Sequence, residues 1–475
     1  MTFKVANIEP VNREKPSQYA ERVGMEYANA SVQKDKKHKG QFFTPFAISQ
    51  FMGNLAVTSG KKCVSVLDPG CGLAILSCAL IEHLVESSRL EYVNLTLFDT
   101  DKNVIPYTRL VLTYLQKWCE SQNVELTVQL NEADFVLEKS ESLNQFATLF
   151  DSLVVVEQYD YIISNPPYFK LSKDDIHTKS CSSIVDGQTN IYALFMAICS
   201  RLLEKDGQMI FITPRSFASG RYFRSFRDFL FRNVYIDFIH LFNTRKDTFS
   251  KDAVLQELVI MSMHPVKDNS MVTVSFSQGI KDLDNSHQKE FKVSEIVDVK
   301  SEEKIVYLPA NGREENILNL FRSWNGNMEK YGIKISTGPV VAFRAYDYIV
   351  SEETENTVPL YWLHNVIKML CDHSVQKKGK GKYIKVAPET KSLLLPNKNY
   401  VLLRRFSSKD DNSRLIAAPY FGNMTNYEFV GIENKLNYIY RSKGHLRRDE
   451  VMGMTALLNS NMYDTYFRTS MEIST

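Results

Sequence analysis

From residue 64 to about residue 265 the chain repeats one rhythm: a short apolar run, an acidic or small-residue turn, then a stretch with helical spacing. Val64–Leu67 ends in Asp68-Pro69-Gly70 and is followed by helix-like Ile75–Val85. Leu95–Phe98 ends in Asp99-Thr100-Asp101 ahead of Ile105–Cys119. Leu126–Leu130 leads to Asp134, and Tyr161–Ile163 leads to Asn165-Pro166-Pro167-Tyr168. Ile191–Leu203 stops at Asp206-Gly207 before Met209–Ile212, and Val254–Met261 reads as a further strand. Strands separated by helices are joined by crossovers rather than hairpins, and crossovers make parallel sheets with helices on both faces. The expected fold class is α/β.

At 475 residues the chain has room for two or three domains and a large core, so it needs no disulfide or metal staple. Its seven cysteines form no CxxC pair and no Cys/His cluster at zinc spacing; several sit in apolar runs as small core residues. No metal is expected, and the compartment reads as reducing. The N-terminus lacks the apolar stretch of a signal peptide, and no segment approaches a membrane span, so a cytoplasmic protein that is not membrane-bound is expected. Near residue 265 the rhythm breaks. Residues 1–40 read as a lead-in, 41–270 as one domain and 300–475 as a separate domain. Net charge is only +2, but residues 331–475 carry 20 basic and 14 acidic side chains. Positive charge is thus concentrated in the second domain.

In an open α/β sheet, ligands bind beyond the carboxyl ends of the strands, and candidate residues cluster there. Asp68-Pro69-Gly70-Cys71-Gly72 is a small-residue loop that lets backbone approach a ligand. Asp99, about 30 residues later, ends the next strand, where an acceptor-only carboxylate can bridge both hydroxyls of a ribose. It is equally suited to cap a helix. Asp134 can accept from an adenine amino group and Phe135 can stack on its ring; alone, they read as a turn Asp and a core Phe. Asn165-Pro166-Pro167-Tyr168 is the most informative. Two prolines fix φ and remove two donors, so the Pro166 carbonyl projects from a stiff turn beside the Asn165 side-chain oxygen. Together they offer two acceptors for a planar amino group whose lone pair is otherwise delocalised. Tyr168 offers a face for stacking.

At these residues the sequence resembles the N6-adenine DNA methyltransferases that use S-adenosylmethionine. The tetrad Asn165–Tyr168 matches their catalytic motif. Gly40-Gln41-Phe42-Phe43-Thr44-Pro45 matches the upstream motif that helps hold the methionine end of the cofactor. Motif order is similar to the γ arrangement of type II restriction–modification enzymes. The resemblance implies a Rossmann-like methyltransferase sheet followed by a C-terminal α+β DNA-recognition domain. It implies cofactor contacts from Gln41, Phe43, Thr44, Pro45, Asp68, Pro69, Gly70, Gly72, Asp99, Asp134 and Phe135. It also implies that the target adenine is flipped out and stacked between Tyr168 and an aromatic such as Phe249. Gln188–Tyr192 would line the target pocket, although Thr189 or Asn190 serves equally as a helix cap. The match is looser over residues 330–470, through Ser336–Val341 and Leu457–Ser460. The loop departs from the family at Leu73-Ala74, where a further Gly or Ser is common. Related chains often continue past the equivalent of Phe467-Arg468, so part of the DNA-contacting surface is expected to be missing or differently built.

Lys377, Lys378, Lys380 and Lys382, with Arg404-Arg405, combine basic charge with Gly and aromatics. They are candidates for phosphate contact, and Arg for guanine reading in double-stranded DNA. The same pocket chemistry serves cytosine N4, RNA adenine or protein glutamine, and a non-catalytic DNA-binding subunit is the alternative from another class. No nuclease constellation is visible, so a cognate endonuclease would be a separate chain.

Overall fold

The computed structural model describes residues 8–30, 44–143, 157–185, 187–242, 258–266, 271–298, 301–307, 312–406 and 413–469. The chain divides into two compact units, 1–307 and 308–475.

The first unit is built on a nine-stranded sheet of order β11-β10-β8-β9-β7-β4-β1-β2-β3. Its strands are β1 (Cys63–Asp68), β2 (Tyr92–Phe98), β3 (Glu125–Asn131), β4 (Tyr159–Ser164), β7 (Leu203–Pro214), β8 (Val234–Phe242), β9 (Leu258–Pro265), β10 (Met271–Ser277) and β11 (His287–Lys292). A two-stranded ribbon, β5 (Lys170–Leu171) with β6 (Thr189–Asn190), lies between β4 and β7 in the chain. Strands β3, β2, β1, β4 and β7 are parallel, and helices Ile75–Ser87, Ile105–Ser121 and Ile191–Arg201 lie on the crossovers between them. All six residues of β4 are buried, and successive strand side chains point to opposite faces, so both faces of the sheet are covered. This is the Rossmann-like α/β architecture. The order reverses between β1 and β4: the chain moves outward to β2 and β3, then returns to the other side of β1. That reversal opens a crevice at the strands' carboxyl ends.

The sheet differs from an all-parallel expectation in its far half. Strand β9 runs antiparallel to both β7 and β8, and β10 and β11 pair antiparallel. The change of rhythm near residue 265 therefore marks a change of strand direction within one sheet. Strands after residue 270 still belong to it, and the first compact unit runs to residue 307.

The N-terminal lead-in contributes helix Pro16–Ala30, with Tyr19, Ala20 and Val23 buried. Its start is capped from a distance. Glu82, in helix Ile75–Ser87, accepts from the Ser17 amide at 2.6 Å and the Ser17 hydroxyl at 2.8 Å. A first-turn amide has no partner inside its own helix, so a carboxylate there satisfies it and complements the helix dipole.

The second unit holds a four-stranded sheet (Ile333–Thr337, Leu436–Arg441, Tyr400–Arg404, Ala417–Tyr420) and a five-stranded sheet centred on Thr357–Tyr361. Separate apolar clusters form around Leu402, Val401 and Leu360. Among the described residues, no helix is long and apolar enough to cross a membrane.

Candidate active site at the switch point

Strand β1 delivers Asp68 to the crevice, fully buried. Its Oδ2 accepts from the Ser77 hydroxyl at 2.7 Å, and its Oδ1 is buried with no hydrogen-bond partner. Burial pushes the carboxyl pKa up to about 7. The following loop turns through left-handed backbone at Gly72 (φ 52°) and Ala74 (φ 58°). Ala74 thus fills, with strain of about 1–2 kcal/mol, a conformation that glycine adopts freely. The Thr108 hydroxyl holds the loop by donating to the Gly72 carbonyl at 2.6 Å.

Asp99 follows β2 and joins two loops. Its Oδ2 accepts from the Gly72 amide at 2.9 Å and its Oδ1 from the Asp101 amide at 2.7 Å. Burial raises its pKa. The carboxylate is partly exposed and retains lone pairs beyond these two bonds. Asp134 caps helix Phe135–Lys139, accepting from the Leu137 amide at 3.0 Å. Phe135 is buried, its ring 5.4 Å from Phe98 and 5.1 Å from Phe195.

The tetrad follows β4 directly. The Asn165 Nδ2 donates to the Thr44 hydroxyl at 3.0 Å, a contact across 121 residues that joins the upstream motif to the tetrad. The bond sets the amide so that Oδ1 faces the Tyr168 hydroxyl. The Tyr168 hydroxyl lies 2.5 Å from Asn165 Oδ1 and 2.9 Å from the Ile212 carbonyl oxygen, with one proton for two acceptors. Tyr168 is only 7% exposed, and its ring stands edge-on to Tyr192 with centroids 6.2 Å apart. Pro45 occupies the N-cap position of helix Phe46–Asn54 without a side-chain cap bond, and Pro69 is buried in the loop. Gln41, Phe43 and Phe249 lie outside the described residues.

Gly70, Pro167 and Phe195 meet. A Cβ on Gly70 would lie 3.5 Å from the Phe195 ring and 4.0 Å from Pro167 Cδ. Phe195 therefore touches the small-residue loop and Phe135 together, a role the sequence reading did not assign. Its spacing of three from Tyr192, on one helix face, is the signal that was available. Asn190 occupies the N-cap position of that helix without making a cap bond, and its Oδ1 is buried and unpartnered. A plain capping role is thus not what its side chain performs.

In the second unit, the lysine loop is pinned by Trp362. The indole donates to the Gly381 carbonyl at 2.8 Å, and Lys380 Nζ sits 4.1 Å from the ring centroid. Arg404 is partly buried, with Nε donating to the Val366 carbonyl at 2.6 Å, while Arg405 is exposed. Gly338 is irreplaceable on space alone, since a Cβ would come within 2.3 Å of the Glu433 carbonyl oxygen. It opens a turn on which Phe343 and Tyr346 stand 77% and 78% exposed, with Arg344 stacked on Phe343 at 5.4 Å. Sequence reading stopped at Val341 and missed these three.

Asp68 makes a pH prediction. Burial favours its neutral form, so its contribution to stability is present below pH about 4 and is lost as pH rises through about 7. Without ligand, Asp68→Asn is expected to lose less thermal stability than the wild type between pH 5.5 and 8.5. Parallel pH profiles for the two proteins would remove Asp68 as the source.

A doubly wound sheet with an Asn-Pro-Pro-Tyr turn directly after the strand at its switch point is methyltransferase architecture. The Eco57I restriction-modification methylase family matches residues 82–249. The type II methyltransferase M.BsuBI of Bacillus subtilis is 30% identical over 437 residues, covering 92% of this chain and 85% of that protein. M.PstI of Providencia stuartii is 28% identical over 449 residues, covering 93% and 86%. Among solved structures, the type IIG restriction endonuclease BpuSI superposes with a TM-score of 0.48 at 13% identity, over 94% of this chain and 58% of that chain. The chain belongs to the type II methyltransferases of restriction–modification systems.

Proposed function

We propose that the protein methylates the N6 amino group of a flipped adenine within a specific double-stranded DNA sequence, using S-adenosylmethionine. The observation that carries this reading is Asn165 directly after β4, its amide donating to Thr44 and its Oδ1 accepting from the Tyr168 hydroxyl. An amino group entering the site donates to Asn165 Oδ1 and to the Pro166 carbonyl. The Tyr168 hydroxyl then keeps Ile212 as its acceptor. Drawing both amine hydrogens toward acceptors localises the nitrogen lone pair. N6 is inaccessible inside a stacked duplex, so the base must leave the helix. For Tyr168 to stack on that base, its ring or that of Tyr192 must shift to expose a face. An asparagine at the head of the tetrad favours adenine over cytosine by its resemblance to the N6 family.

The residues present fit the cofactor. The unpartnered, buried Oδ1 of Asp68 suits a cationic group such as an ammonium, and Asp99 has lone pairs left for ribose hydroxyls. Asp134 and Phe135 are assigned to the adenine, and Gly70 and Gly72 to close backbone approach. Bound S-adenosylmethionine would supply an electrophilic methyl group; the chain supplies orientation and the acceptors. Digesting modified DNA to nucleosides and weighing them is the test. N6-methyldeoxyadenosine is expected; N4-methyldeoxycytidine would overturn the adenine assignment, and unmodified DNA the reading as a whole.

Residues 300–475 are assigned the reading of DNA. Basic excess, the lysine loop, Arg405 and the exposed Phe343-Arg344-Tyr346 turn support this. Phosphate contacts release counterions, and each is worth a slope of about 0.9 in log K against log salt. Replacing Lys377, Lys378, Lys380 and Lys382 with Gln is expected to weaken binding equally on cognate and scrambled duplexes and to flatten that slope by about 3–4. Arg405→Ala should instead relax specificity at one position. Fluorescence anisotropy across a salt series measures both. If the four-lysine variant matches wild type at every salt, the loop is merely solvated.

A further inference from the structure

His177 lies between two carboxylates at the edge of the candidate cofactor site. Its Nε2 is 2.9 Å from Asp134 Oδ2, and its Nδ1 is 2.7 Å from Asp175 Oδ1. Asp175 also accepts from the His177 amide at 2.9 Å and so caps the short helix Ile176–Ser180. The histidine side chain is only 19% exposed. A neutral imidazole carries one ring proton and would turn a lone pair toward one of these oxygens. Two carboxylates are both satisfied only by the imidazolium, which donates from each nitrogen. Burial works against that charge, but the bonds to Asp134 and Asp175 outweigh it and raise the pKa.

Two consequences follow for the site. Asp134 is held at both oxygens, Oδ1 by the Leu137 amide and Oδ2 by His177. Its orientation is thereby fixed, while Oδ2 keeps a second lone pair for another donor. The segment running on from the tetrad is also tied, through Asp175 and His177, to the end of β3. The chain from Tyr168 reaches Asp175 by way of β5, which pairs with β6 at Lys170–Asn190. One imidazole therefore joins the tetrad's downstream strand to the adenine end of the proposed cofactor site.

We propose that His177 is a positioning residue for cofactor recognition: as a doubly donating imidazolium it orients the Asp134 carboxylate toward the adenine amino group and clamps the segment after the tetrad against it. This rests on the reading that Asp134 faces adenine. Nothing in the sequence pattern marks it, because His177 is a lone histidine 43 residues from its partner.

The experiment is titration calorimetry on the full chain with two ligands, S-adenosylhomocysteine and S-inosylhomocysteine. The second has a carbonyl oxygen where adenine has its amino group. Wild type is expected to bind the adenine compound at least 10-fold more tightly. His177→Ala should weaken the adenine compound about 10-fold and shrink the discrimination to below about 3-fold. His177→Gln, which retains one uncharged donor, should recover part of both; it also serves if the alanine variant does not fold. Circular dichroism confirms the fold of each variant. A merely structural histidine would weaken both ligands alike, so wild-type discrimination persisting in both folded variants overturns the proposal. If wild type itself binds the two compounds equally, Asp134 does not face adenine and that reading fails together with it.

Discussion

Asn165→Ala is expected to lower kcat by about 10²–10³-fold, the scale of removing one preorganised polar group from a reacting centre. The variant keeps the two prolines and the Pro166 carbonyl, so the turn remains and only one of two acceptors is lost. It also removes the donor that the Thr44 hydroxyl accepts from. Cofactor affinity in the absence of DNA should stay within about 3-fold of wild type, because the loss falls on the target base rather than on Asp68 or Asp99. Single-turnover methylation, with calorimetry for the cofactor, separates the two. A folded Asn165→Ala protein that turns over at the wild-type rate would refute the dual-acceptor mechanism.

The second large effect is expected from Asp99. Replacing it with Ala should weaken cofactor binding by about 1–3 kcal/mol, roughly 5–150-fold, as a charged acceptor is lost. The structure adds a reason beyond ribose contact. Asp99 holds the Gly72 amide, so the alanine variant also loosens the small-residue loop after β1. Asp99→Asn keeps one acceptor oxygen for a backbone amide and should lose less. Calorimetric affinities unchanged in both variants would remove Asp99 from the site.

The half of the fold that carries the site was legible in the chain. The apolar runs leading to Asp68, Asp99, Asp134 and Asn165 are strands because an apolar stretch followed by a turn residue has few other uses in an alternating pattern. The far half was less so. Strand β9 is as apolar as the parallel strands of the same sheet, since a buried strand shows no alternation that betrays its direction. Antiparallel pairing there depends on partners far along the chain. The site was legible at its backbone-shaping residues and opaque at its side-chain partners. Thr44 was assigned to the cofactor's methionine end, yet its hydroxyl meets Asn165, and no local pattern encodes a contact across 121 residues. His177 and Phe195 are ordinary residues by sequence. They acquire roles because the switch point brings the ends of β1, β3 and β4 together. Ala74 shows the converse, a residue that departs from the expected small-residue pattern yet takes the left-handed turn at a cost in strain.

Strand order also sets a timetable for synthesis. β1 pairs β2 across only 29 residues, Cys63 with Tyr92, but meets β4 across 95, Val66 with Tyr161. At about 5–20 residues per second, the ribosome needs about 5–20 s to deliver β4 after β1 has emerged. Through that interval β1 presents a bare, apolar edge, Val64, Val66 and Leu67, which any other strand can occupy. The crevice that makes the chain a methyltransferase thus closes only after β2 and β3 have already joined β1 on its other side. Holding that edge during translation is expected to limit how much active protein a cell obtains, well before any stability of the finished fold does.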